Sequence, residues 1–400
     1  MFADRVLSGM RPTGRMHIGH YHGALKNWVR LQEEYECLYF AADWHALTTH
    51  YEQPEVIDET VWEMFIDWLA AGLDPNRSTL FIQSRVPEHA ELTLLLGMMM
   101  PVGWLERVPT YKDQQQKLAD RDLATYGFLG YPLMQAADIL IYRANLVPVG
   151  EDQVSHLELV RETARRFNHI YGREPGFEEN AKEAIKKLGR SKAKRYETLR
   201  TAFQEKGDEA ALAAARQLLE DTQNLSLGDR ERLFGYLEGS RRVLLPEPQP
   251  LLTETPKVPG LDGAKMSKSY GNAIFMREDP SEVTTKIRTM QTDPARVRRS
   301  DPGNPENCPV WELHKIYSNQ ETKDWVVKGC TTAGIGCLDC KQPLIDAIIA
   351  EQQPILERAQ RYVDDRQLVR NIVADGCERA RNLAEETMRD VREAMGLRYD

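Results

Sequence analysis

Along the first 165 residues, short apolar runs alternate with longer segments whose apolar residues recur every three or four positions. The short runs are typical of buried strands, and the longer segments are typical of helices with one apolar face. The predicted strands are residues 6–10, 37–42, 80–83 and 147–149. The predicted helices are residues 20–34, 56–71 and 89–100, with 131–141 a helix that runs into a strand. This alternation predicts an α/β fold with a doubly wound parallel sheet, whose ligands lie beyond the carboxyl ends of the strands.

From about residue 172 the pattern changes, because Glu, Lys, Arg and Ala become frequent and glycines interrupt the helical period. The segment 172–244 is therefore predicted to be a charged helical insertion. A proline-rich connector leads back to the sheet domain, which we predict to resume over 245–303. The stretch 304–400 combines clustered cysteines with long helical patterns. The predicted organisation is a Rossmann-type domain in two parts (1–171 and 245–303), the insertion, and an all-helical C-terminal region.

The chain has 400 residues, of which 52 are Lys or Arg and 61 are Asp or Glu, giving a net charge of −9. This balance excludes a protein that binds nucleic acid through its overall charge, but it allows a local basic face. The lysines and arginines between 186 and 195 could contact phosphates or form an ordinary solvated helix face. We find no apolar run near the roughly 20 residues of a membrane span and no N-terminal secretory signal. We therefore expect a cytoplasmic protein with no membrane partner.

The first motif that suggests chemistry follows the first predicted strand. Residues 8–14 (SGMRPTG) form a turn, after which His17, Gly19 and His20 open a helix. A helix N-terminus offers unpaired N–H groups and the positive end of the helix dipole, both suited to phosphate. His17 and His20 share a face and can donate to phosphate oxygens, while Gly19 leaves room for a flat base against the backbone. Taken alone, this pattern is more typical of structural or zinc-binding histidines.

A second motif changes that interpretation. Residues 263–269 (GAKMSKS) form a short loop with two lysines and two hydroxyl groups. Lysines in such a loop can neutralise a polyphosphate as it breaks, although by itself the pattern also fits an exposed basic loop. The two motifs together, in this order, predict an enzyme that handles phosphates.

The pair formed by His17–His20 and 265–269 resembles the two signature sequences of the class I aminoacyl-tRNA synthetases. Further stretches narrow the resemblance to the tryptophanyl-tRNA synthetases, over roughly 1–170 and 245–400. These stretches are 8–14, 42–48 (ADWHALT), 131–140 (YPLMQAADIL) and 147–153 (VPVGEDQ). The resemblance implies a tryptophan–tRNA ligase, which forms tryptophanyl-adenylate from L-tryptophan and ATP and transfers the amino acid to tRNA(Trp).

The resemblance implies that ATP, with Mg²⁺ on its phosphates, is bound around both signatures. His17 and His20 would stabilise the phosphates in the transition state, and Lys265 and Lys268 would follow the pyrophosphate. Lys112 resembles a phosphate-contacting lysine of the family. The other implied ATP-binding residues are Arg11, Pro12, Thr13, Gly19, Gly150, Glu151, Asp152, Val258, Met266, Ser267 and Ser269. The family more often has Gln at the position of Arg11.

The implied tryptophan site centres on Asp138, whose carboxylate would accept the indole N–H. A carboxylate among the apolar residues of 136–140 needs a polar partner, which a helix-to-strand cap or a salt bridge would also supply. Tyr131 and Gln153 would bind the ammonium and carboxylate of the amino acid. The remaining implied neighbours are Gln135, His45 and Gly9, although His45 is equally consistent with a buried core histidine.

Tyrosyl-tRNA synthetase is the alternative within this fold, because its pocket can also use a Gln-x-x-Asp pair. Against it, Leu7 stands where tyrosine enzymes usually place a tyrosine, and 147–153 resembles the tryptophan type. A synthetase-like protein without catalysis would be expected to carry damaged signatures, and both are undamaged here. A simpler nucleotidyltransferase would lack the helical region of 304–400. The family implies that this region holds the anticodon end of tRNA(Trp) and that the protein is a homodimer.

Four of the six cysteines lie within 33 residues: Cys308, Cys330, Cys337 and Cys340. Clustered thiols in a chain with too few cysteines for a disulfide scaffold predict a metal site. The spacing leaves zinc and an iron–sulfur cluster open, because only Cys337 and Cys340 form the Cys-x₂-Cys pair common in structural zinc sites. Residues 329–340 (GCTTAGIGCLDC) resemble the cluster region of an iron–sulfur subgroup of tryptophanyl-tRNA synthetases, which implies a [4Fe–4S] cluster.

Overall fold

The computed structural model describes residues 4–108, 125–150, 154–172, 176–239, 243–252, 258–267 and 270–399. These residues are mostly helical and surround a five-stranded parallel sheet with the strand order β3-β2-β1-β4-β5. The strands are β1 Arg5–Met10, β2 Glu36–Ala41, β3 Ser78–Ile82, β4 Leu146–Val149 and β5 Gln249–Leu252. This order is that of a doubly wound sheet, so the predicted α/β fold of Rossmann type is confirmed.

The strand register follows the apolar runs of the sequence. Strand β2 pairs with β3 from Cys37 opposite Ser78 to Ala41 opposite Ile82, and all its residues except Glu36 are buried. Strands of a parallel sheet are covered on both faces, which accounts for this continuous apolar run. The β1 strand is likewise buried at Val6 and Leu7.

The helices before the predicted insertion lie near the predicted positions, with one correction. They are α1 Ile18–His20, a π-helical turn Tyr21–Leu25, α2 Lys26–Leu31, α3 Asp43–His50, α4 Glu55–Ala71, α5 Glu88–Gly97, α6 Val102–Leu105, α7 Tyr126–Ile141 and α8 Val154–Tyr171. The prediction that 131–141 runs into a strand is wrong, because α7 stays helical to Ile141 and β4 begins only at Leu146. The last residues of α7 are all buried, so the continuous apolar run at its end reflects a covered helix and not a strand.

The segment predicted as an insertion forms helices with a core of their own. They are α9 Phe177–Lys187, α10 Arg190–Lys206, α11 Glu209–Glu220 and α12 Leu227–Leu237. Their shared apolar cluster includes Tyr196, Leu219 and Leu233, each fully buried. Helix α10 ends at Gly207, whose φ of +66° is a left-handed conformation that favours glycine.

The C-terminal region is helical, as predicted. Before it, α13 Pro280–Thr289 lies in the segment predicted as 245–303. The helices of the region 304–400 are α14 Pro309–Tyr317, α15 Gln320–Thr331, α16 Cys337–Asp364 and α17 Arg366–Ala394. None of the described helices is long and apolar enough to cross a membrane.

The described residues group into two compact units. The first unit comprises Met1–Ser8, Gln83–Leu252 and Cys377–Asp400, and the second comprises Gly9–Ile82 and Thr253–Gly376. The four segments predicted from the sequence (1–171, 172–244, 245–303 and 304–400) do not follow this grouping and stay predictions.

Candidate active site

In the second unit, His17 and His20 form one stacked pair at the start of α1. Their ring centroids are 3.7 Å apart and their planes differ by 24°. The backbone N–H of His17 donates to Nδ1 of His20 at 3.3 Å, so that nitrogen is unprotonated. Burial, reinforced by the charge of Lys265, lowers the pKa of His17 to about 4. Both imidazoles are therefore neutral near pH 7 and can act as hydrogen-bond donors without carrying charge.

Gly19 is required by this pair. A Cβ atom at Gly19 would lie 2.9 Å from Nδ1 of His17, so a side chain there would displace the ring. The Nδ1 atom of His17 is itself buried and has no hydrogen-bond partner among the described residues. A buried polar atom without a partner is costly, and a ligand atom can satisfy it. The predicted role of Gly19 beside a flat base stays a prediction.

The segment of the first signature pairs with residues 274–276, which follow the second signature. Ile18 donates its backbone N–H to the carbonyl of Ile274 at 2.9 Å, and Met276 donates to the carbonyl of Met16 at 3.0 Å. His17 thereby lies opposite Phe275 in an antiparallel bridge. Two motifs that are far apart in the sequence therefore occupy one part of the second unit.

The loop with Lys265 is organised by Asn272, which the sequence analysis missed. The Asn272 side chain is buried, and its Nδ2 donates to Asp262 Oδ1 at 2.8 Å and to the Lys265 carbonyl at 3.2 Å. Its Oδ1 accepts the backbone N–H of Ser267 at 2.7 Å. A Cβ atom at Gly260 would lie 2.3 Å from the Asn272 amide, so glycine is needed there. These bonds set the loop conformation and leave the Lys265 side chain exposed.

The other predicted ATP-binding residues of this unit fall into two groups. Arg11 and Thr13 are exposed in the turn after β1, and the carbonyl of the buried Pro12 accepts the hydroxyl of Thr60 at 2.7 Å. Val258 and Met266 are buried in the apolar cluster that contains Ile18 and Ile274. Their side chains thus pack against the signature segments. A contact with ATP would have to come from their backbone.

Two predicted tryptophan-site residues also lie in the second unit. His45 is half-buried on α3, and its role in the tryptophan site stays a prediction. Gly9 is exposed, and a Cβ atom there would lie 2.5 Å from the Phe40 ring. This close packing explains the glycine without a ligand.

In the first unit, Asp138 is the centre of a buried polar network. Its side chain is 1% exposed on α7, and Gln83 Nε2 donates to its two oxygens at 2.8 and 3.0 Å. His89 Nδ1 lies 2.6 Å from Asp138 Oδ1, and His89 Nε2 lies 2.6 Å from the Tyr142 hydroxyl. The alternative of a helix-to-strand cap is wrong, because Asp138 lies inside the helix. Its contact with His89 is a hydrogen bond, which would be the predicted salt bridge only if the ring were protonated.

The tautomer of His89 follows from its neighbours. Burial, then the charge of Asp138, raises the pKa of Tyr142, so its hydroxyl stays protonated and can donate to His89 Nε2. The proton of a neutral His89 then sits on Nδ1 and faces Asp138. Gln83, His89 and Tyr142 were not identified from the sequence, because their only signal is burial by residues distant in the chain.

The remaining predicted residues of the first unit contribute less to this network. Tyr131 is half-buried and Gln135 is exposed, both on α7, so Gln135 does not share the environment of Asp138. Gly150 directly follows β4 and is half-buried. The predicted site residues Lys112, Glu151, Asp152, Gln153, Lys268 and Ser269 lie outside the described residues.

The four clustered cysteines are neighbours in the second unit. Burial, followed by the nearby thiols of Cys308, Cys330 and Cys337, raises the pKa of Cys340 to about 12. The Arg296 guanidinium lies 4.0 Å from the Cys330 sulfur. Four soft thiol donors fit zinc or an iron–sulfur cluster by their chemistry.

The arrangement of the four thiols does not support the predicted cluster. Within the described part of the chain, no group of three or more His, Cys, Asp or Glu side chains is arranged to hold a metal ion. A Cβ atom at Gly303 would lie 2.7 Å from the Cys330 sulfur, so the backbone already approaches this thiol closely. Ligation would require the four thiols, which are neighbours here, to turn toward one centre.

Comparisons with known proteins agree with the geometry. The family model of the class I tRNA synthetases for tryptophan and tyrosine matches residues 3–182 and 208–352. A tryptophan–tRNA ligase of Ralstonia nicotianae is 70% identical over 399 residues and covers 100% of both chains. That of Thermotoga maritima is 45% identical over 397 residues, covering 99% of this chain and 100% of its own.

Among solved structures, the tryptophanyl-tRNA synthetase of Campylobacter jejuni complexed with ADP and tryptophan is similar over 98% of this chain and 100% of its own. Its TM-score is 0.72 at 27% sequence identity. The fold, the paired signatures and these relatives agree. The chain belongs to the class I tRNA synthetases for tryptophan and tyrosine and, among them, to the tryptophanyl-tRNA synthetases.

Proposed function

We propose that the protein activates L-tryptophan with ATP and transfers it to tRNA(Trp) in the cytoplasm. The observation that carries this proposal is the antiparallel pairing of His17 with Phe275, because it brings the first signature to the segment that follows Lys265. The full-length relatives that are named tryptophan–tRNA ligases support the choice of amino acid and tRNA.

In the first step, the tryptophan carboxylate attacks the α-phosphorus of ATP, and the bond to the β-phosphate oxygen breaks to release pyrophosphate. The 3′-terminal ribose of the tRNA then attacks the adenylate carbonyl, and AMP leaves. Neither step needs a side-chain nucleophile, so the protein acts by positioning and by stabilising charge. His17 and His20 would donate to phosphate oxygens as neutral imidazoles, and Lys265 would follow the negative charge of the pyrophosphate.

Lys268, Lys112 and the residues 151–153 complete the proposed ATP and amino-acid contacts, with the roles that the family implies. Mg²⁺ would arrive with the phosphates of ATP, whose oxygens are the ligands it prefers. The signature side chains are imidazoles and ammonium groups, which bind phosphate rather than Mg²⁺. They would therefore act on the phosphates directly.

Asp138 would select tryptophan by accepting the indole N–H. The buried donors Gln83 and His89 hydrogen-bond its carboxylate and orient it, because a buried carboxylate without partners would be costly. A site that hydrogen-bonds a substrate N–H can reject a side chain without one by roughly 10⁴-fold. Phenylalanine would leave this acceptor unpaired, so selection against it needs no editing domain.

We further propose a homodimer. Leu94 on α5, Met98 just after it and Val102 at the start of α6 are 59%, 68% and 58% exposed. Large apolar side chains exposed in one short stretch of chain are typical of a protein interface. The expected mass in solution is that of two chains, and Met98→Glu should shift it toward one chain. A monomeric wild-type protein would contradict the homodimer.

The helices of 304–400 would hold the anticodon end of the tRNA. We propose that Cys308, Cys330, Cys337 and Cys340 ligate a [4Fe–4S] cluster in this region, with zinc as the alternative. The cluster would hold the shape of the region when bound and need not perform redox chemistry. Protein purified without oxygen should be brown, with absorbance near ~400 nm and about four irons per chain. Colourless protein with one zinc would overturn the proposal.

Charging of tRNA tests the function as a whole. The protein is incubated with tRNA, ATP and labelled tryptophan, and acid-precipitable label is counted, with labelled tyrosine as the control. We expect charging with tryptophan and almost none with tyrosine. Charging with tyrosine alone would mean that the proposed pocket is misassigned.

A further inference from the structure

Helix α4 carries a buried carboxylate that the proposed chemistry does not use. Asp67 is 3% exposed on a face otherwise formed by apolar residues such as Met64 and Ala71. Burial raises its pKa to about 6, while Arg277 and a backbone N–H lower it again. A buried ion pair generally stabilises a fold no better than apolar residues of the same size. Stability alone therefore does not explain this carboxylate, whose two partners come from outside α4.

The two partners of Asp67 lie in different parts of the chain. Its carboxylate accepts the backbone N–H of Met16 and the Nε–H of Arg277. Met16 directly precedes His17, the first histidine of the first signature. Arg277 lies in the segment that follows the loop of Lys265. One side chain thus binds the flank of each signature.

These two flanks also pair with each other. Met276 donates to the Met16 carbonyl at 3.0 Å, and Arg15 Nη2 donates to the Arg277 carbonyl at 3.1 Å. The carboxylate of Asp67 is therefore bonded to both strands of the pair that brings His17 toward Lys265. A change at Asp67 would act on their relative register without touching either signature side chain.

The Arg277 guanidinium is fixed by a second carboxylate of the same helix. Arg277 Nη2 donates to Glu63 at 2.7 Å, one turn before Asp67, and Glu63 also pairs with Arg366 at 2.6 Å. The planar guanidinium can reach both carboxylates at once, which a lysine ammonium cannot do in the same geometry. Glu63 differs from Asp67 in being partly exposed and in having a partner outside the signature segments.

We infer that Asp67 is a positioning residue for adenylate formation, which holds the segment of His17 in register with the segment that follows Lys265. This inference rests on the proposed function, since it assumes that both signatures act on ATP. The histidines and the lysine are needed most in the transition state, so a small loss of register should reduce the rate more than the binding of ATP.

Asp67→Asn tests the inference by removing the charge while keeping the volume and an oxygen for Met16. The kcat of tryptophan-dependent ATP–pyrophosphate exchange should fall about 10-fold, while the KM values for ATP and tryptophan change less than about 2-fold. A general loss of structure would instead lower the fraction of active protein and the unfolding temperature together. Circular dichroism and active-site titration, run on each variant, separate these cases.

Two control variants make the test specific. Glu63→Gln removes the other carboxylate that binds Arg277 but leaves the bond to Met16, so its effect on kcat should be clearly smaller. Glu33→Gln breaks the exposed pair with Arg77 in the same unit and should leave the rate unchanged. Equal losses of kcat in D67N and E63Q would overturn the inference, and so would a folded D67N with the wild-type kcat.

If D67N does not fold, Arg277→Lys is the variant to measure. Lysine keeps the positive charge but cannot bind Asp67 and Glu63 at the same time, so the register of the two segments should be lost. We expect R277K to lose kcat several-fold at an unchanged KM for ATP, and an unchanged kcat would overturn the inference. The wild-type protein separates this result from the proposed function. Without tryptophan-dependent exchange in the wild type the proposed function fails, whereas an active wild type with an equally active D67N rejects only the role of Asp67.

Discussion

His17 and His20 stack with their ring centroids 3.7 Å apart, and the backbone N–H of His17 binds Nδ1 of His20. This arrangement requires at least one unprotonated ring nitrogen and fixes both rings before ATP binds. Gly19 between them is needed because a Cβ atom would lie 2.9 Å from the His17 ring. The first signature is therefore a preorganised pair of neutral hydrogen-bond donors rather than a pair of charges.

Replacing a signature side chain should slow the formation of the adenylate. We expect His20→Ala and Lys265→Ala each to reduce kcat for ATP–pyrophosphate exchange by about 10²-fold, since both groups act on charge that develops in the transition state. Tryptophan affinity, measured by equilibrium titration without ATP, should change little. If ATP affinity falls as much as the rate does, these residues serve ground-state binding instead.

The depressed pKa of His17 predicts how stability depends on pH. A histidine whose pKa falls from 6.5 to about 4 on folding stabilises the protein fully above pH 6.5. That contribution is lost as the pH falls from 6.5 through 4. In His17→Asn this titration is absent, so the free energy of unfolding should decrease less between pH 7 and pH 4.5 than in the wild type. Denaturant unfolding at both pH values measures the difference, and parallel decreases would contradict the buried, neutral state of His17.

Asp138→Asn should weaken the preference for tryptophan. A carboxamide can turn its own donor toward the indole N–H, whereas the carboxylate offers only acceptors. We expect the ratio of kcat/KM for tryptophan to that for phenylalanine to fall by on the order of 10-fold or more. An unchanged ratio in a folded variant would show that Asp138 serves the buried network with Gln83 and His89 and not the substrate.

The segment 172–240 should be dispensable for amino-acid activation. Tyr196, Leu219 and Leu233 form an apolar core inside this segment, and both signatures and Asp138 lie outside it. Joining the flanking residues by a short linker should leave tryptophan-dependent exchange nearly intact. Charging of tRNA would fall if the basic residues of 186–195 contact phosphate. A folded deletion variant without exchange activity would place these helices in the catalytic body.

Some of the basic residues of 186–195 already have protein partners. Lys187 pairs with Asp229 at 2.7 Å and Lys186 with Glu183 at 2.5 Å. These contacts favour the interpretation of an ordinary solvated face for part of the cluster. Lys194 and Arg195 are exposed on α10 and are the residues whose substitution would test phosphate contact.

Local patterns predicted four of the five described strands and most of the helices, because the apolar period reflects burial on one or both faces of an element. They missed β5, because Gln249–Leu252 lies in the proline-rich stretch that was predicted to be a connector. The same signal failed at α7, where buried apolar residues up to Ile141 resemble a strand although the chain stays helical. Continuous burial gives no period, so it cannot distinguish a covered helix end from a strand.

The signature residues were recognisable because their types and spacing are specific to phosphate chemistry. Their supports were not, since Asn272, His89 and Asp67 make contacts across long sequence separations that no local pattern encodes. The cysteines show the same limit of local patterns. Their spacing in the sequence predicted that the four thiols are neighbours, as the structure shows. Spacing does not determine the side-chain positions on which metal ligation depends.

Tryptophan-dependent ATP–pyrophosphate exchange by protein purified without oxygen decides whether the protein activates tryptophan. The assay needs neither tRNA nor the cysteine site to act in catalysis, so it reports on the two signatures and on the choice of amino acid alone. We expect rapid exchange with tryptophan and almost none with tyrosine or phenylalanine. Exchange driven by tyrosine, with none driven by tryptophan, would contradict this expectation.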